Sequence, residues 1–421
     1  MPDQSTLPRS IQHVARKIFP QSLRRPRFAQ ALSDRNRVDA DLNQVYGPRR
    51  VALSDLDTWV EKALTSQDAV VLEMTTNTWQ VYDDLLPYVH SITVVHPPHV
   101  ALITRAQVMT DRIAAAHLAR LHAKGLLAGI WVPPQAVRDW RALVAQRSKM
   151  VRLAVQAKNR LHSTLHRLHI DLPAEGKPFS AAQRPWWENL PVAGIEKIRI
   201  ASDLDTLDFS QRQIERLEEG LIDQAAQDER IPLLIQLPGV RLVAAVTILA
   251  AVGEITRFPQ AKQLVGYAGL GARVHDSGQT TRTGRITKAG RRDLRFIMVE
   301  AAQRAAITHP HWKTELTRLE PRLGRNKAIV VIARKLLIAV WHVLMQQCAD
   351  RFANTEKVAR KMLEHAYSLG QKRRPKGQSA AEYARRQLDR LHLGQELTHI
   401  SWGVKKPPVP LPPSSLSPDP S

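Results

Sequence analysis

The sequence predicts an α/β fold in an N-terminal region, followed by an all-α fold in the longer remainder. Between residues 51 and 134, short apolar runs alternate with amphipathic segments, which is typical of a layered domain with parallel strands. From residue 135 onward the apolar residues recur at helical spacing. At 421 residues the chain is longer than one ordinary domain.

The α/β region contains two predicted strands and three predicted helices. Ser54 or Asp55 can cap the first helix, the first strand ends at Glu73, and Pro97-Pro98 stops the second strand. The elements are a helix over VALSDLDTWVEKAL (51–64), a strand over DAVVLEM (68–74), a helix over TWQVYDDLLPYV, a strand over SITVVHPP (91–98) and a helix over MTDRIAAAHLARLHAKGLL (109–127).

A long helical hairpin is predicted next. Residues 135–170 carry apolar side chains at alternating spacings of three and four, which is typical of a heptad seam. A second amphipathic helix is predicted over about 208–229, after a linker rich in turn formers. The pattern therefore indicates an antiparallel hairpin or coiled coil. The seam consists of Trp140, Leu143, Arg147, Met150, Ala154, Ala157, Leu161 and Leu168.

The remaining sequence predicts a helical unit and an extension. LIQLPGVRLVAAVTILAAVGEI (234–255) has the pattern of two helices joined by a Pro238-Gly239 turn. Such a turn exposes backbone N–H groups that suit a phosphate, although an ordinary helical hairpin has the same pattern. The predicted parts are 1–50 (polar, weakly structured or atypical), 51–134 (α/β), 135–230 (helical hairpin), 231–350 (all helical) and 351–421 (a basic extension with a helix near 378–393 and a disordered Pro-rich tail).

The formal charge is +22, from 61 Lys and Arg against 39 Asp and Glu. This excess favours a polyanionic partner such as nucleic acid, the alternative being a basic surface kept for solubility. The single cysteine, Cys348, excludes a disulfide framework and indicates a reducing compartment. We find no secretory signal and no apolar run of membrane-spanning length, so a cytoplasmic protein is expected.

Ser277 lies inside a cation-rich stretch, VHDSGQTTRTGRITKAGRRDLR (274–295). A serine hydroxyl becomes a nucleophile only when a base or a metal activates it, and the neighbouring His275 and Asp276 do not by themselves establish a triad. The alternative is a simple Ser-Gly turn. The candidate nucleic-acid contacts are Gly239, Arg273, Arg282, Arg285, Lys288, Arg291, Arg292 and, on GRNKAIVVIARKLLIAVWHVL (324–344), Arg334.

Two carboxylates are candidate metal ligands. Glu73 at a strand end and Asp111 at a helix start can converge on a divalent ion, as in phosphoryl-transfer sites. The alternative is a solvated glutamate and a helix-capping aspartate.

Taken together, these stretches resemble the IS110-type insertion-sequence transposases, an RNA-guided family. The resemblance runs from about Val51 to Gln346, with its best part from LPGVRLVAAVTILAAVGEITRF through YAGLGARVHDSGQT to RRDLRFIMVEAAQRA. It implies an RNase H-like N-terminal domain whose four acidic residues bind Mg²⁺, a coiled coil, and a C-terminal domain with a catalytic serine. Carried over by position, Ser277 is the nucleophile, Glu73 the second acid and Asp111 the third.

The chain departs from the family pattern at several positions. Met109 stands where the family has a lysine, and Ala114 where it has the fourth acid. The Gly-Ile-Asp strand of the first acid has no counterpart in residues 1–50, where Asp39 and Asp41 are weak substitutes.

The resemblance implies that the chain cuts and rejoins DNA through a phosphoserine link. It also implies a structured guide RNA, donor and target DNA, and a dimer or tetramer in the bacterial cytoplasm at the nucleoid. A decayed transposase that only binds nucleic acid is the alternative, favoured by the missing acids. A ribosomal or chromatin-like basic protein is a third, which would tolerate replacement of Ser277.

Overall fold

The structure, a computed structural model, forms two compact units, residues 1–133 and 134–421. The residues that it describes are 12–18, 31–38, 44–46, 51–98, 111–277, 280–375, 377–402 and 407–416, and side-chain placement is described from residue 51 onward, except at 111–112, 274–277 and 280–284.

A mixed sheet organises the N-terminal unit. Its strands are β1 (Gln12–Ile18), β2 (Ala31–Val38), β3 (Gln44–Tyr46), β4 (Val51–Ala52), β5 (Asp68–Glu73) and β6 (Ser91–Val95). They follow the order β3-β2-β1-β5-β6, and β4 pairs with β2. β2 runs antiparallel to β1, β3 and β4, whereas β1, β5 and β6 are mutually parallel. The expectation that residues 1–50 are weakly structured is therefore wrong for the three strands within them.

Helices cover both faces of this sheet. Val70 and Leu72 of β5 pack with helices α1 (Leu56–Ala63) and α2 (Thr78–Leu85), while Val71 packs with α3 (Asp111–Ala123) on the opposite face. Alternate residues of a strand point to opposite faces, so the continuous apolar run of β5 is explained by its burial on both sides. The predicted strands at 68–74 and 91–98 are confirmed. The helix predicted over 51–64 is wrong in its first turn, since β4 and a 3₁₀ turn precede Leu56.

Two long helices open the second unit. α4 (Gln135–Arg167) packs antiparallel on α6 (Gly194–Ala225), with the short α5 (Arg184–Glu188) between them in sequence. Antiparallel pairing follows from the ion pairs, which match early residues of one helix with late residues of the other. α6 begins earlier than the predicted residue 208 because buried Ile200, Leu204 and Leu207 extend its apolar stripe. The ion pairs are Arg147–Glu218 (2.5 Å), Arg160–Asp203 (2.6 Å) and Arg167–Glu196 (2.7 Å).

The apolar core of the second unit is built mainly from helices beyond residue 230. Among described residues, α12 (Arg325–Gln346) is the one helix long and apolar enough to cross a membrane; its most apolar 18-residue stretch has a mean hydropathy of 2.0 and is half buried. Its Ile332, Leu336 and Val340 are fully buried in the core, which explains this composition without a bilayer. The helices are α7 (Arg230–Ile235), α8 (Leu242–Val252), α9 (Ala261–Tyr267), α10 (Arg292–Thr308), α11 (Pro310–Leu323) and α12 (Arg325–Gln346).

A β-hairpin interrupts this helical unit, so the expectation of an all-α fold is wrong there. β7 (Ala272–Ser277) pairs antiparallel with β8 (Thr280–Ile286). Threonine and valine favour extended backbone, and a two-residue connection with glycine is typical of a hairpin.

The C-terminal extension packs on the same core. α13 (Thr355–Arg373) and α14 (Ala380–Arg390) are followed by a short ribbon of β9 (His399–Ile400) and β10 (Val409–Pro410). The prediction of a disordered tail is wrong for 407–416. Buried Arg385 donates to the Pro412 carbonyl at 2.8 Å, and Asp389 accepts from Ser414 Oγ at 2.8 Å. Both contacts are long-range, so composition alone could not indicate them.

Candidate active site and nucleic-acid interface

Ser277 is the last residue of β7 and lies at the tip of the hairpin. It pairs with Thr280, the first residue of β8, so two residues connect the strands. The neighbouring candidates His275 and Asp276 lie on the same strand, opposite Arg282 and Thr281. The side chains of these strand residues lie outside the described part of the structure. The backbone therefore places Ser277 at the end of β7 that is farthest from the base of the hairpin.

Two glycines hold the base of this hairpin against the rest of the unit. A Cβ on Gly269 would lie 2.2 Å from the Ala289 carbonyl oxygen, and one on Gly290 would lie 2.2 Å from the Tyr267 carbonyl oxygen. Both have positive φ, at 67° and 99°. Arg295 Nη1 adds a bond of 2.8 Å to the Ala268 carbonyl. The two legs of the hairpin are thus joined closely where they leave α9 and enter α10.

Most of the predicted cations near the hairpin are exposed. Arg285, Lys288 and Arg292 have exposed side chains, and exposed Arg273 donates to the Thr287 carbonyl at 3.4 Å. The side chain of Arg282 lies outside the described part. These cations flank the strands that carry Ser277, which is the placement expected for contacts with a polyanion.

Two predicted contacts have other surroundings. Arg291 is half-buried, and its Nε donates to Asp293 Oδ1 at 3.0 Å. Its guanidinium is therefore paired with a carboxylate in the first turn of α10. Arg334 is exposed on α12, whereas its neighbour Lys335 pairs with Glu315.

The predicted Pro238-Gly239 turn between two helices is present. α7 ends at Ile235, Gly239 has φ of 78°, and α8 begins at Leu242 without a side-chain cap. A Cβ on Gly239 would lie 2.1 Å from the Ala301 carbonyl oxygen, so the turn packs directly on α10. Glycine is therefore required both by the backbone angle and by the close approach.

Glu73 lies where the sequence places it, at the carboxyl end of β5, and is 8% exposed. Asp111 begins α3, but its side chain and residues 99–110 lie outside the described part. Ala114 is buried in α3 and offers no ligand. Among described side chains, no group of three His, Cys, Asp or Glu is placed to hold a metal. The described residues therefore match a divalent-metal site only through Glu73, and the convergence with Asp111 stays a prediction.

A group of cations around the Gly239 turn was missed by sequence reasoning. Arg304 comes from α10, and Lys357, Arg360 and Lys361 come from α13. Burial, with repulsion from Arg241, lowers the pKa of the Lys361 ammonium to about 7. The only sequence signal is the spacing of three and four along α13, which places these cations on one helical face.

Two family models match the chain. The Transposase IS116/IS110/IS902 family matches residues 231–317, and a second transposase model, of DEDD enzymes of the IS110 type, matches residues 39–170.

Individual relatives agree with these matches. The chain is 25% identical over 285 residues to a putative transposase of Sinorhizobium fredii, covering 68% of this chain and 70% of that protein. It is 26% identical over 267 residues to the transposase for insertion sequence element IS1111A of Coxiella burnetii, covering 60% and 71%. It is 31% identical over 123 residues to a pilin gene-inverting protein of Moraxella bovis, covering 28% and 38%.

These family matches and relatives place the chain among transposases and recombinases, whose partner is DNA. The chain belongs to the IS110-type transposase family, as its resemblance predicted.

Proposed function

We propose that the chain cuts and rejoins DNA for an insertion element, with Ser277 as nucleophile. The observation that carries this is the anchored hairpin: contacts at Gly269 and Gly290 hold its base, Ser277 lies at the far end of its strand, and exposed Arg273 and Arg285 lie nearer the base. A turn that served only to reverse the chain would not need such a closely packed base. The cations suit the scissile strand, which must be held while its phosphate reacts.

The reaction we propose is a phosphoryl transfer. Ser277 Oγ forms a bond to the DNA phosphorus, the bond from phosphorus to a deoxyribose oxygen breaks, and that oxygen takes up a proton as a hydroxyl. The hydroxyl proton of the serine passes to a base. Attack by the freed hydroxyl on the phosphoserine later restores the serine and rejoins the strand.

The family uses a divalent metal, and Mg²⁺ held by Glu73 and Asp111 is our proposed cofactor. Such an ion supplies charge stabilisation at a reacting phosphate. The sheet order, with β2 antiparallel to β1 and helices on both faces, supports an RNase H-like domain. Of these two ligands, Glu73 is the one whose side chain the structure describes.

We further propose a guide RNA from the element, and a dimer or tetramer in which Ser277 of one subunit serves the acidic site of another. The packed helices α4 and α6 support a coiled-coil assembly element. Action at the nucleoid in the cytoplasm follows from the DNA partner.

A non-catalytic nucleic-acid-binding role is the second candidate. β1, the central strand beside β5, has the sequence QHVARKI without an acid, and Ala114 is buried where the family has its fourth acid. Both observations favour a protein that binds without cutting.

Trapping of a covalent intermediate distinguishes the two. The full chain, labelled element-end DNA and Mg²⁺ are incubated, denatured and run on a gel, with Ser277→Ala in parallel. We expect a protein–DNA adduct from the wild type and none from the variant. An adduct of equal yield from both proteins excludes Ser277 as nucleophile. DNA binding without any adduct supports the non-catalytic role.

A further inference from the structure

A cavity of about 360 Å³ opens beside the Pro238-Gly239 turn. Three elements distant in sequence line it: the turn with the start of α8, the end of α10, and the first three turns of α13. No residue of α13 lies within the family matches at 39–170 and 231–317. One wall of the cavity is therefore supplied by the C-terminal extension.

Close contacts hold these walls together. On one side the turn packs on α10, since a Cβ on Gly239 would lie 2.1 Å from the Ala301 carbonyl oxygen. On the other side Lys361 Nζ donates to the Leu237 carbonyl at 2.5 Å, which joins α13 to the turn. The cavity is thus a preformed site, because the groups around it are fixed by backbone contacts.

The lining is strongly cationic. Among the described residues, Glu364 is the single acid that lines the cavity, and it lies 3.5 Å from Arg241 Nη2 and 3.3 Å from Arg360 Nε. Arg304 is exposed and makes no side-chain hydrogen bond or ion pair with any described residue. Its guanidinium is therefore available to a ligand. The lining cations are Arg241, Arg304, Lys357, Arg360 and Lys361.

We propose that this cavity binds a backbone phosphate of a nucleic acid, in a second contact apart from the Ser277 hairpin. The proposal rests on the proposed function, since it assumes a nucleic-acid partner. A phosphodiester is a compact anion that accepts bonds from two guanidinium groups at once. The uncapped start of α8, an 11-residue helix, adds backbone N–H groups that favour an anion. DNA and RNA share this chemistry, and binding assays distinguish them.

The test measures binding of the full chain, without Mg²⁺, to random-sequence DNA and RNA duplexes by fluorescence anisotropy over a series of salt concentrations. The pocket variant is Arg304→Gln with Arg360→Gln. The control, Lys313→Gln with Arg322→Gln, removes two exposed cations of α11 that do not line the cavity. A third variant, Arg304→Lys with Arg360→Lys, keeps the charge. Circular dichroism verifies that each protein is folded.

We expect the pocket variant to bind at least tenfold more weakly and to lower the slope of log K against log salt by about 1. The control and the lysine variant should keep a slope near that of the wild type. The preferred duplex identifies whether DNA or RNA supplies the phosphate.

Equal losses in the pocket and control variants overturn the proposal, as does an unchanged salt slope in the pocket variant. If the pocket variant fails to fold, the lysine variant decides: loss of binding despite retained charge overturns a phosphate contact. The adduct assay with Ser277→Ala is independent of these results. Binding that depends on the cavity cations, without any adduct, therefore supports the phosphate site and excludes the serine mechanism. A Ser277-dependent adduct, with binding that does not depend on these cations, supports the serine mechanism and overturns the phosphate site.

Discussion

The hairpin base offers a sharp test of how the fold presents Ser277, through replacement of Gly269 by alanine. Gly269 has φ of 67°, where an L-residue costs about 1–2 kcal/mol. The added Cβ would also lie 2.2 Å from the Ala289 carbonyl oxygen, against an ordinary contact of 3.4 Å or more. Separating two backbone segments in a packed region costs about 1–3 kcal/mol more. We therefore expect Gly269→Ala to destabilise the protein by about 2–5 kcal/mol.

Gly271 provides a matched control two residues away. A Cβ there would have no atom of the described residues within 4 Å, and its φ is not positive. Gly271→Ala should therefore change the free energy of unfolding by less than about 1 kcal/mol, since alanine also restricts the unfolded chain. Thermal denaturation followed by circular dichroism measures both variants, and at about 2–4 °C per kcal/mol the melting temperature of Gly269→Ala should fall by about 10 °C. Equal melting temperatures for the two variants would refute the proposed anchoring of the hairpin.

Two further predictions concern stability. Burial lowers the pKa of His365 to about 4 from 6.5, so the folded state stays neutral while the unfolded state takes up a proton as the pH falls from 6.5 to 4. The free energy of unfolding of the wild type should decrease over that pH range by up to about 3 kcal/mol, and the His365→Phe variant should lack most of this decrease when both are measured by urea denaturation. Identical pH profiles for the two proteins would contradict the attribution of this pH dependence to His365. In the helical hairpin, Leu161→Ala should lower the free energy of unfolding by about 2–5 kcal/mol, because Leu161 is 0% exposed. Val155→Ala, at a position 49% exposed, should lower it by less than about 1 kcal/mol in the same denaturation assay. Similar losses for both variants would show that Leu161 is not packed as described.

The strands at β5 and β6 could be predicted because both are continuous apolar runs, and burial on both faces of a parallel sheet requires such runs. The strands β1 and β2 could not, since QHVARKI and ALSDRNRV mix charged with apolar residues and match no simple period. β1 also pairs with β5, where Gln12 lies opposite Asp68, so its place in the sheet depends on a partner far along the chain. Local patterns thus predicted β5 and β6 at one side of the sheet and missed the central strand β1 and its neighbour β2.

In the candidate site, too, some features could be predicted from local sequence and others could not. The positions of Glu73 at a strand end and of the Gly239 turn between two helices were predictable, because each depends on local sequence. The hairpin that carries Ser277 was not, since its strands are polar and its anchoring depends on glycines packing against residues about 20 positions away. Cations from three separate elements meet around Gly239 only in the folded chain.

The extension after residue 350 is part of the core, and this decides how its role can be studied. Val358, Met362, Leu363 and Ala366 of α13 are 0–2% exposed and belong to the same apolar cluster as α8, α10 and α12. Removing the extension would expose those helices to water and destabilise the unit, whether or not α13 contacts nucleic acid. Loss of binding after truncation would therefore report unfolding as readily as loss of a phosphate contact. Exposed positions such as Arg360 separate the two effects, because their side chains contribute charge to the cavity and little to the core.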